Sequence, residues 1–361
     1  TRISGVLSMS IAETKRNQGR EFPYHSFAGP EIERNIMPLS IPRFIVPCAL
    51  VLLFAGFAAA QAEDTTPGDW PELQAAAQSL LGEEKFGEAL DLVEQFGPKL
   101  KDREFEVSDL TIEILMAAGR TDEALTVWEE GMDEGFFYFV VPRLAVYDAV
   151  RNDDRFRKAV LRNNSLRDRA SRKSKPEYEV ITPASYSESG SYPLVMIIHG
   201  GNQSIVKAKG RWDPQAFGDD LIIAYVQSSR RADTKSYRWD LGGVDIYSLP
   251  TAQEEVLGLY RAIVEEYAVD TDQVTLAGFS QGGNLALFLA AEGTIPARGF
   301  IAGCPATRSP VSLSTAQAAA ERGVRGTIFV GADDWTAGAS QSTVDNFNEA
   351  GLSVNHIVME G

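Results

Sequence analysis

The stretch Val274-Thr275-Leu276-Ala277-Gly278-Phe279-Ser280-Gln281-Gly282-Gly283-Asn284 sets the organisation of the chain. A β-branched, apolar run ends at Gly278, and Ser280 follows two residues later. Gly282 and Gly283 then lead into the apolar run Asn284-Leu285-Ala286-Leu287-Phe288-Leu289-Ala290-Ala291. This is a G-x-S-x-G pattern between an expected strand and an expected helix, the context in which a serine becomes a presented nucleophile. Such a junction puts the serine on a sharp, strained turn with its hydroxyl clear of the sheet end. Gly278 and Gly282 lack the Cβ atoms that would collide where strand and helix close on each other. The helix begins directly behind Ser280, so its free N–H groups and dipole favour a nearby oxyanion.

Around this centre the second half of the chain alternates between strands and helices. Expected strands are Tyr178 to Pro183, Leu194 to Ile198, Leu221 to Val226, Gly299 to Ala302, Thr327 to Val330 and Ser353 to Val358. The run Leu194-Val195-Met196-Ile197-Ile198 is continuously apolar, as in a strand buried on both faces. Gln253 to Tyr267 reads as a helix, with apolar residues at Val256, Leu259, Tyr260, Ile263 and Val264. The alternation predicts an α/β domain over residues 178–361, with a mostly parallel sheet covered on both faces.

Three motifs lie in order along this half: His199-Gly200-Gly201 after a buried strand, Gly278-Phe279-Ser280-Gln281-Gly282-Gly283, and Gly331-Ala332-Asp333-Asp334 after a later strand. With them the segment resembles the α/β-hydrolases, most closely the phospholipase/carboxylesterase group of serine esterases. The resemblance implies Ser280 as nucleophile, with the N–H of Gln281 as one oxyanion donor and that of Gly201, next to Asn202, as the second. It implies Asp334 as the acid of a Ser-His-Asp triad, with Asp333 as its rival, and gives His199 a structural place. In that family the base follows the last strand. Here the last strand contains His356, whose side chain should point to a sheet face rather than over the sheet edge. The chain begins without Met and ends at Gly361, so it reads as a fragment whose catalytic histidine lies beyond Gly361. Trp335 and Phe279 are candidates to line an acyl pocket, and Tyr237-Arg238-Trp239-Asp240 falls beside the site.

The first half reads differently. Residues 1–36 show no apolar periodicity and read as an upstream translated or disordered segment. Residues 37–62 read as a signal peptide: Arg43, the apolar run Ile45 to Ala60, then small residues before an acidic start. The expected location is secreted or periplasmic; the alternative is anchoring by an uncleaved signal. Residues 63–69 are a linker and 70–169 a helical segment. Within it, Leu80-Leu81-Gly82-Glu83-Glu84-Lys85-Phe86-Gly87-Glu88-Ala89-Leu90 recurs as Leu115-Met116-Ala117-Ala118-Gly119-Arg120-Thr121-Asp122-Glu123-Ala124-Leu125. The offset of about 35 residues resembles the tetratricopeptide period, with Ala89 and Ala124 at close helix contacts. This segment is either a cap on the catalytic domain or a docking surface for a protein or peptide. Residues 170–177, basic, are expected to be an interdomain linker.

The 361 residues are 44% hydrophobic and 23% charged, with a formal net charge of −16. That balance argues against nucleic acid or an anionic membrane surface as the main partner. The two cysteines, Cys48 in the signal region and Cys304, imply no disulfide framework, and Cys304 before Pro305 is expected as a small buried hydrophobe. No metal-ligand cluster, phosphate loop or dinucleotide fingerprint is visible, so no cofactor is implied. The expected function is a secreted serine hydrolase that cleaves a small-molecule or lipid carboxylic ester through an acyl-serine. Alternatives are a serine peptidase of the same fold and a non-catalytic helical-repeat binding protein on a hydrolase scaffold.

Overall fold

The computed structural model describes residues 68–239, 251–307, 309–352 and 354–360. The expected signal peptide, Cys48, Asp240 and His25 lie outside them. The described residues belong to one compact unit. It opens with five helices: α1 (Trp70–Gly82), α2 (Phe86–Phe96), α3 (Glu104–Ala117), α4 (Thr121–Asp133) and α5 (Asp154–Lys173). Then follow β1 (Glu177–Ile181), β2 (Tyr192–Ile198), α6 (Ile205–Arg211), β3 (Ile222–Gln227), α7 (Ala252–Glu266), β4 (Val269–Phe279), α8 (Gln281–Glu292), β5 (Gly299–Gly303), α9 (Leu313–Glu321), β6 (Arg325–Gly331), α10 (Ala337–Glu349) and β7 (Val354–Met359).

The repeated eleven-residue segment has a local cause. In both copies the helix ends in a left-handed residue, Glu84 at φ 58° and Gly119 at φ 72°. The N–H of Lys85 then bonds back to Leu80 O, and that of Arg120 to Leu115 O, at 2.9 Å each. These bonds satisfy carbonyls that the helix end would otherwise leave open. The two turns launch α2 and α4 in the same way, and the small residues Ala89 and Ala124 are fully buried. The helices share one core around Ile114, Leu125, Trp128 and Phe156.

One boundary differs from expectation. Residues 170–173 are not linker: α5 runs on to Lys173, capped at its start by Asp153, whose side chain accepts from the N–H groups of Arg155 and Phe156. Ser171 in its last turn is buried and accepts a 3.0 Å bond from the Arg231 N–H. Ser171 thus ties the end of α5 to the sheet domain.

The sheet has the order β1-β3-β2-β4-β5-β6-β7, with β1 antiparallel and all other pairs parallel. One face packs under α7, α8, α9 and α10, with Met196, Leu276, Phe300 and Ile328 in the core. The other carries α6, over Val195, Ile197, Ile223, Tyr225 and Ala277. Helices on both faces of a mostly parallel sheet, with a serine on the sharp turn after β4, form the α/β-hydrolase architecture. The chain runs from β2 outward to β3 and then returns to the other side of β2 for β4. The strand order therefore reverses between β2 and β4, and such a reversal opens a crevice at the carboxyl ends of the two strands.

Asn163 on α5 tests how the helical core is held. It is fully buried; its Oδ1 accepts from the Trp128 indole (3.2 Å) and the Tyr138 N–H (2.8 Å), and its Nδ2 donates to Tyr138 O (2.8 Å). Each buried group left without a partner costs about 1–3 kcal/mol. Asn163→Ala should therefore lower stability by about 2–4 kcal/mol in urea unfolding followed by tryptophan fluorescence.

Candidate active site

The site lies in that crevice. Ser280 holds φ 54° and ψ −116°, a conformation that an L-residue adopts only under constraint. The constraint is steric. A Cβ on Gly282 would lie 2.0 Å from Ile198 O and 2.5 Å from His199 O, and one on Gly278 would lie 2.4 Å from Gly282 C. With glycine at both positions, the start of α8 presses onto β2 and β4, and the chain turns sharply at Ser280. The Ser280 N–H donates to Gly303 O at 2.8 Å, and its carbonyl accepts from Asn284 and Ala306 at 2.9 and 3.0 Å. Serine at a helix start ordinarily caps it with its hydroxyl. Here no such bond forms, and Ser280 Oγ has no partner among the described residues.

Two backbone donors stand beside it. Gln281 is the first residue of α8, so its N–H has no partner within the helix. A Cβ on Gly201 would lie 3.0 Å from Gln281 Cδ, which places the loop after β2 directly against the start of α8. In that loop the Gly200 N–H is taken by Gln203 Oε1 at 3.0 Å, whereas the Gly201 N–H has no acceptor among the described residues. Asn202 is left-handed at φ 56° and turns the loop back.

His199 is buried and stacks on Trp239 at 4.8 Å between ring centroids. Its Nδ1 contacts Gly200 O at 2.5 Å, and its Nε2 faces the Ser228 N–H at 3.2 Å. A carbonyl only accepts and a backbone N–H only donates, so these partners select the neutral imidazole with its proton on Nδ1. Burial lowers the His199 pKa to about 4. Both ring nitrogens are committed, and His199 is a structural residue.

Behind it lies a polar framework that the motif reading missed. Glu255 is buried on α7 and accepts from the Ser228 hydroxyl at 2.6 Å, from the Ser229 N–H at 3.3 Å and from the Ser229 hydroxyl. The Trp239 indole donates to His199 O at 2.8 Å, and its backbone N–H donates to Gln281 Oε1 at 2.9 Å. Tyr237 and Gln203 exchange backbone bonds. Trp239, expected only beside the site, is the buried brace between the loop after β2 and the first residue of α8. A signal was present: Glu255 falls on the apolar stripe Ala252, Val256, Leu259, Tyr260 and Ile263 of an amphipathic helix.

The structure separates the two aspartates. Asp333 is exposed, whereas Asp334 is partly buried and its Oδ1 accepts from the Thr336 N–H (2.8 Å) and hydroxyl (2.7 Å). Thr336 itself is buried. Asp334 is thus held through Oδ1 by Thr336. Cys304 is not a core hydrophobe. It is half-buried at the end of β5 with φ 39°, its thiol lies against Asp334, and burial raises its pKa. The Phe279 ring lies toward Gly303, and Trp335 is half-exposed.

His356 lies within β7, opposite Ile328. Across the sheet, Gly278, Ala302, Ile328 and His356 form one row, so His356 is three strands from β4. At about 4.8 Å per strand this is ~14 Å, beyond the joint reach of a histidine and a serine side chain. Strand alternation puts it on the side of Val354, which packs against the larger core. As an alternate base, His356 fails on position. The end of β7 does approach the loop that carries Asp334, since the Ala332 N–H donates to Met359 O at 2.9 Å. Among the described residues no group of three or more His, Cys, Asp or Glu side chains is placed to hold a metal ion.

No protein-family model matches the chain, and no curated protein matches it. Solved structures do. An uncharacterized protein from Bacillus cereus is 18% identical with a TM-score of 0.40, covering 81% of this chain and 92% of that one. A ferulic acid esterase is 15% identical with a TM-score of 0.39, over 52% of this chain and 84% of that one. An esterase of the planctomycete Thermogutta terrifontis is 17% identical with a TM-score of 0.37, over 52% of this chain and 77% of that one. At these values the likeness adds nothing to what the strand order and the turn at Ser280 already establish.

Proposed function

We propose that this chain is a serine hydrolase that cleaves carboxylic esters through an acyl-enzyme on Ser280. The observation that carries the reading is Ser280 itself: strained, uncapped and without a hydroxyl partner, beside the open N–H groups of Gln281 and Gly201. Ser280 Oγ attacks the ester carbonyl carbon and gives its proton to a histidine base. The two N–H groups hold the oxygen that becomes negative, each worth about a hundredfold or more in rate. The tetrahedral adduct collapses, and the alcohol leaves with the proton from the histidine. Water then attacks the acyl-Ser280 ester, and the acid is released. Asp334 orients the histidine.

The base is a histidine borne by chain following β7. Two observations support this: neither His199 nor His356 serves Ser280, and the end of β7 is bonded to the loop that carries Asp334. Export through residues 37–62 belongs to the same proposal and rests on the sequence. A non-catalytic binding protein on this scaffold is the second reading, favoured by the distance of His356 from Ser280.

A fluorophosphonate probe and a panel of p-nitrophenyl esters separate the two. In protein made from the source gene, including whatever it encodes after Gly361, the probe should label Ser280 with one equivalent. Ser280→Ala should remove labelling and lower ester turnover by about ten-thousandfold or more. The 361-residue chain should turn over esters far more slowly. Absence of labelling in both proteins establishes the binding-protein reading instead.

His199 supplies a pH test of its structural role. Folded, it binds its proton near pH 4; unfolded, near 6.5. Between these values the unfolded chain holds more protons, so stability is full above about pH 6.5 and falls as the pH drops towards 4. The loss is about 3 kcal/mol once the pH is below both values. Urea unfolding at a series of pH values should show this fall in the parent. The His199→Gln variant, less stable overall, should lack this contribution.

A further inference from the structure

We propose that Arg211 selects esters that carry a second, free carboxylate. The proposal rests on Ser280 as nucleophile and names the substrate class of the same site. Arg211 ends α6, and its guanidinium carbon lies 4.0 Å from the centroid of the Phe279 ring. Phe279 immediately precedes Ser280, and its ring packs toward Gly303, whose carbonyl binds the Ser280 N–H. The guanidinium is also close enough to Cys304 to act on its thiol electrostatically, and that thiol lies against Asp334. Arg211 therefore lies against the residue that precedes Ser280 and within electrostatic reach of the thiol that touches Asp334.

Arg211 has no hydrogen bond or ion pair among the described residues. Arg120, Arg151 and Arg155, by contrast, are each paired with a carboxylate. Stacking occupies a face of the guanidinium plane and leaves the N–H groups at its edge unused. Their fork geometry matches a carboxylate held by two parallel bonds. A singly charged carboxylate also suits the surroundings better than a doubly charged phosphate, because the Asp334 carboxylate stands nearby against Cys304. A neutral ester would leave the Arg211 donors to water.

The test is equilibrium binding to the Ser280→Ala protein, which holds esters without cleaving them. Monomethyl succinate, glutarate and adipate are compared with their dimethyl esters by NMR titration. At least one monoester should bind about tenfold or more tighter than its diester. Arg211→Gln should abolish that preference, and Arg211→Lys should keep part of it. Equal binding of every pair overturns the proposal, as does a preference that survives Arg211→Gln. Should Arg211→Gln fold poorly, the lysine variant and the preference of the Ser280→Ala protein still decide. Fluorophosphonate labelling of unmodified Ser280 is scored separately. Labelling without a preference removes only the role of Arg211; a preference without labelling removes the hydrolase and leaves an anion-binding cleft.

Discussion

The contact between the start of α8 and the ends of β2 and β4 governs the site. A methyl group at Gly282 would overlap the Ile198 carbonyl, and one at Gly278 would overlap the Gly282 backbone. Only glycine lets the helix come so close, and the closeness forces Ser280 out of the ordinary backbone regions. Three consequences follow from this one approach. The hydroxyl cannot cap α8, the Gln281 N–H opens into the crevice, and the loop after β2 is brought against it. The strain is sustained because α8 is buried nearly throughout, with Leu285, Ala286, Leu287, Leu289 and Ala290 at 3% exposure or less. Such burial contributes more than the one to three kcal/mol that a backbone outlier costs.

The loop after β2 has no regular structure of its own, and its shape is imposed from behind. His199 fills the space between Gly200 and Ser228 as a neutral ring, with one nitrogen donating and the other accepting. Ser228 is fixed by Glu255, and Trp239 reaches from His199 O to Gln281. Backbone donors can stabilise charge only if they are already aimed when the charge appears. A buried, hydrogen-bonded framework provides that rigidity, whereas a solvated loop would have to reorganise at each turnover.

The sharp turn at Ser280, the strands and the order of the motifs were legible in the sequence because each is local. Hydrophobic runs mark buried strands, and glycines mark close approaches. Asp334 could be preferred to Asp333 by spacing, but only the structure shows the Thr336 cap that orients it. Glu255 and Trp239 were not legible as parts of the site, because their roles depend on pairings across 26 to 42 residues. Cys304 was misread for a similar reason. Its sequence neighbours suggest a core position, but a left-handed turn at the strand end places its thiol against Asp334. The basic run after residue 167 looked like linker because charge hides a helix whose buried contacts are few: Phe156, Ala159, Asn163 and Ser171.

Those few contacts bear on what the helical segment does. Residues 230–238 form a short loop with two neighbours. On one side Thr234 exchanges backbone and hydroxyl bonds with Phe137 of the helical segment, and the Arg231 N–H reaches Ser171 on α5. On the other side Tyr237 pairs with Gln203, and Trp239 braces His199 and Gln281. The helical segment is therefore hydrogen-bonded, through residues 231–237, to the loop that carries Gly201. These bonds make a continuous support for the loop after β2. The helices belong to the same compact unit as the sheet. Their repeated turns explain how they fold, and the Thr234 and Ser171 bonds explain why they are attached where they are.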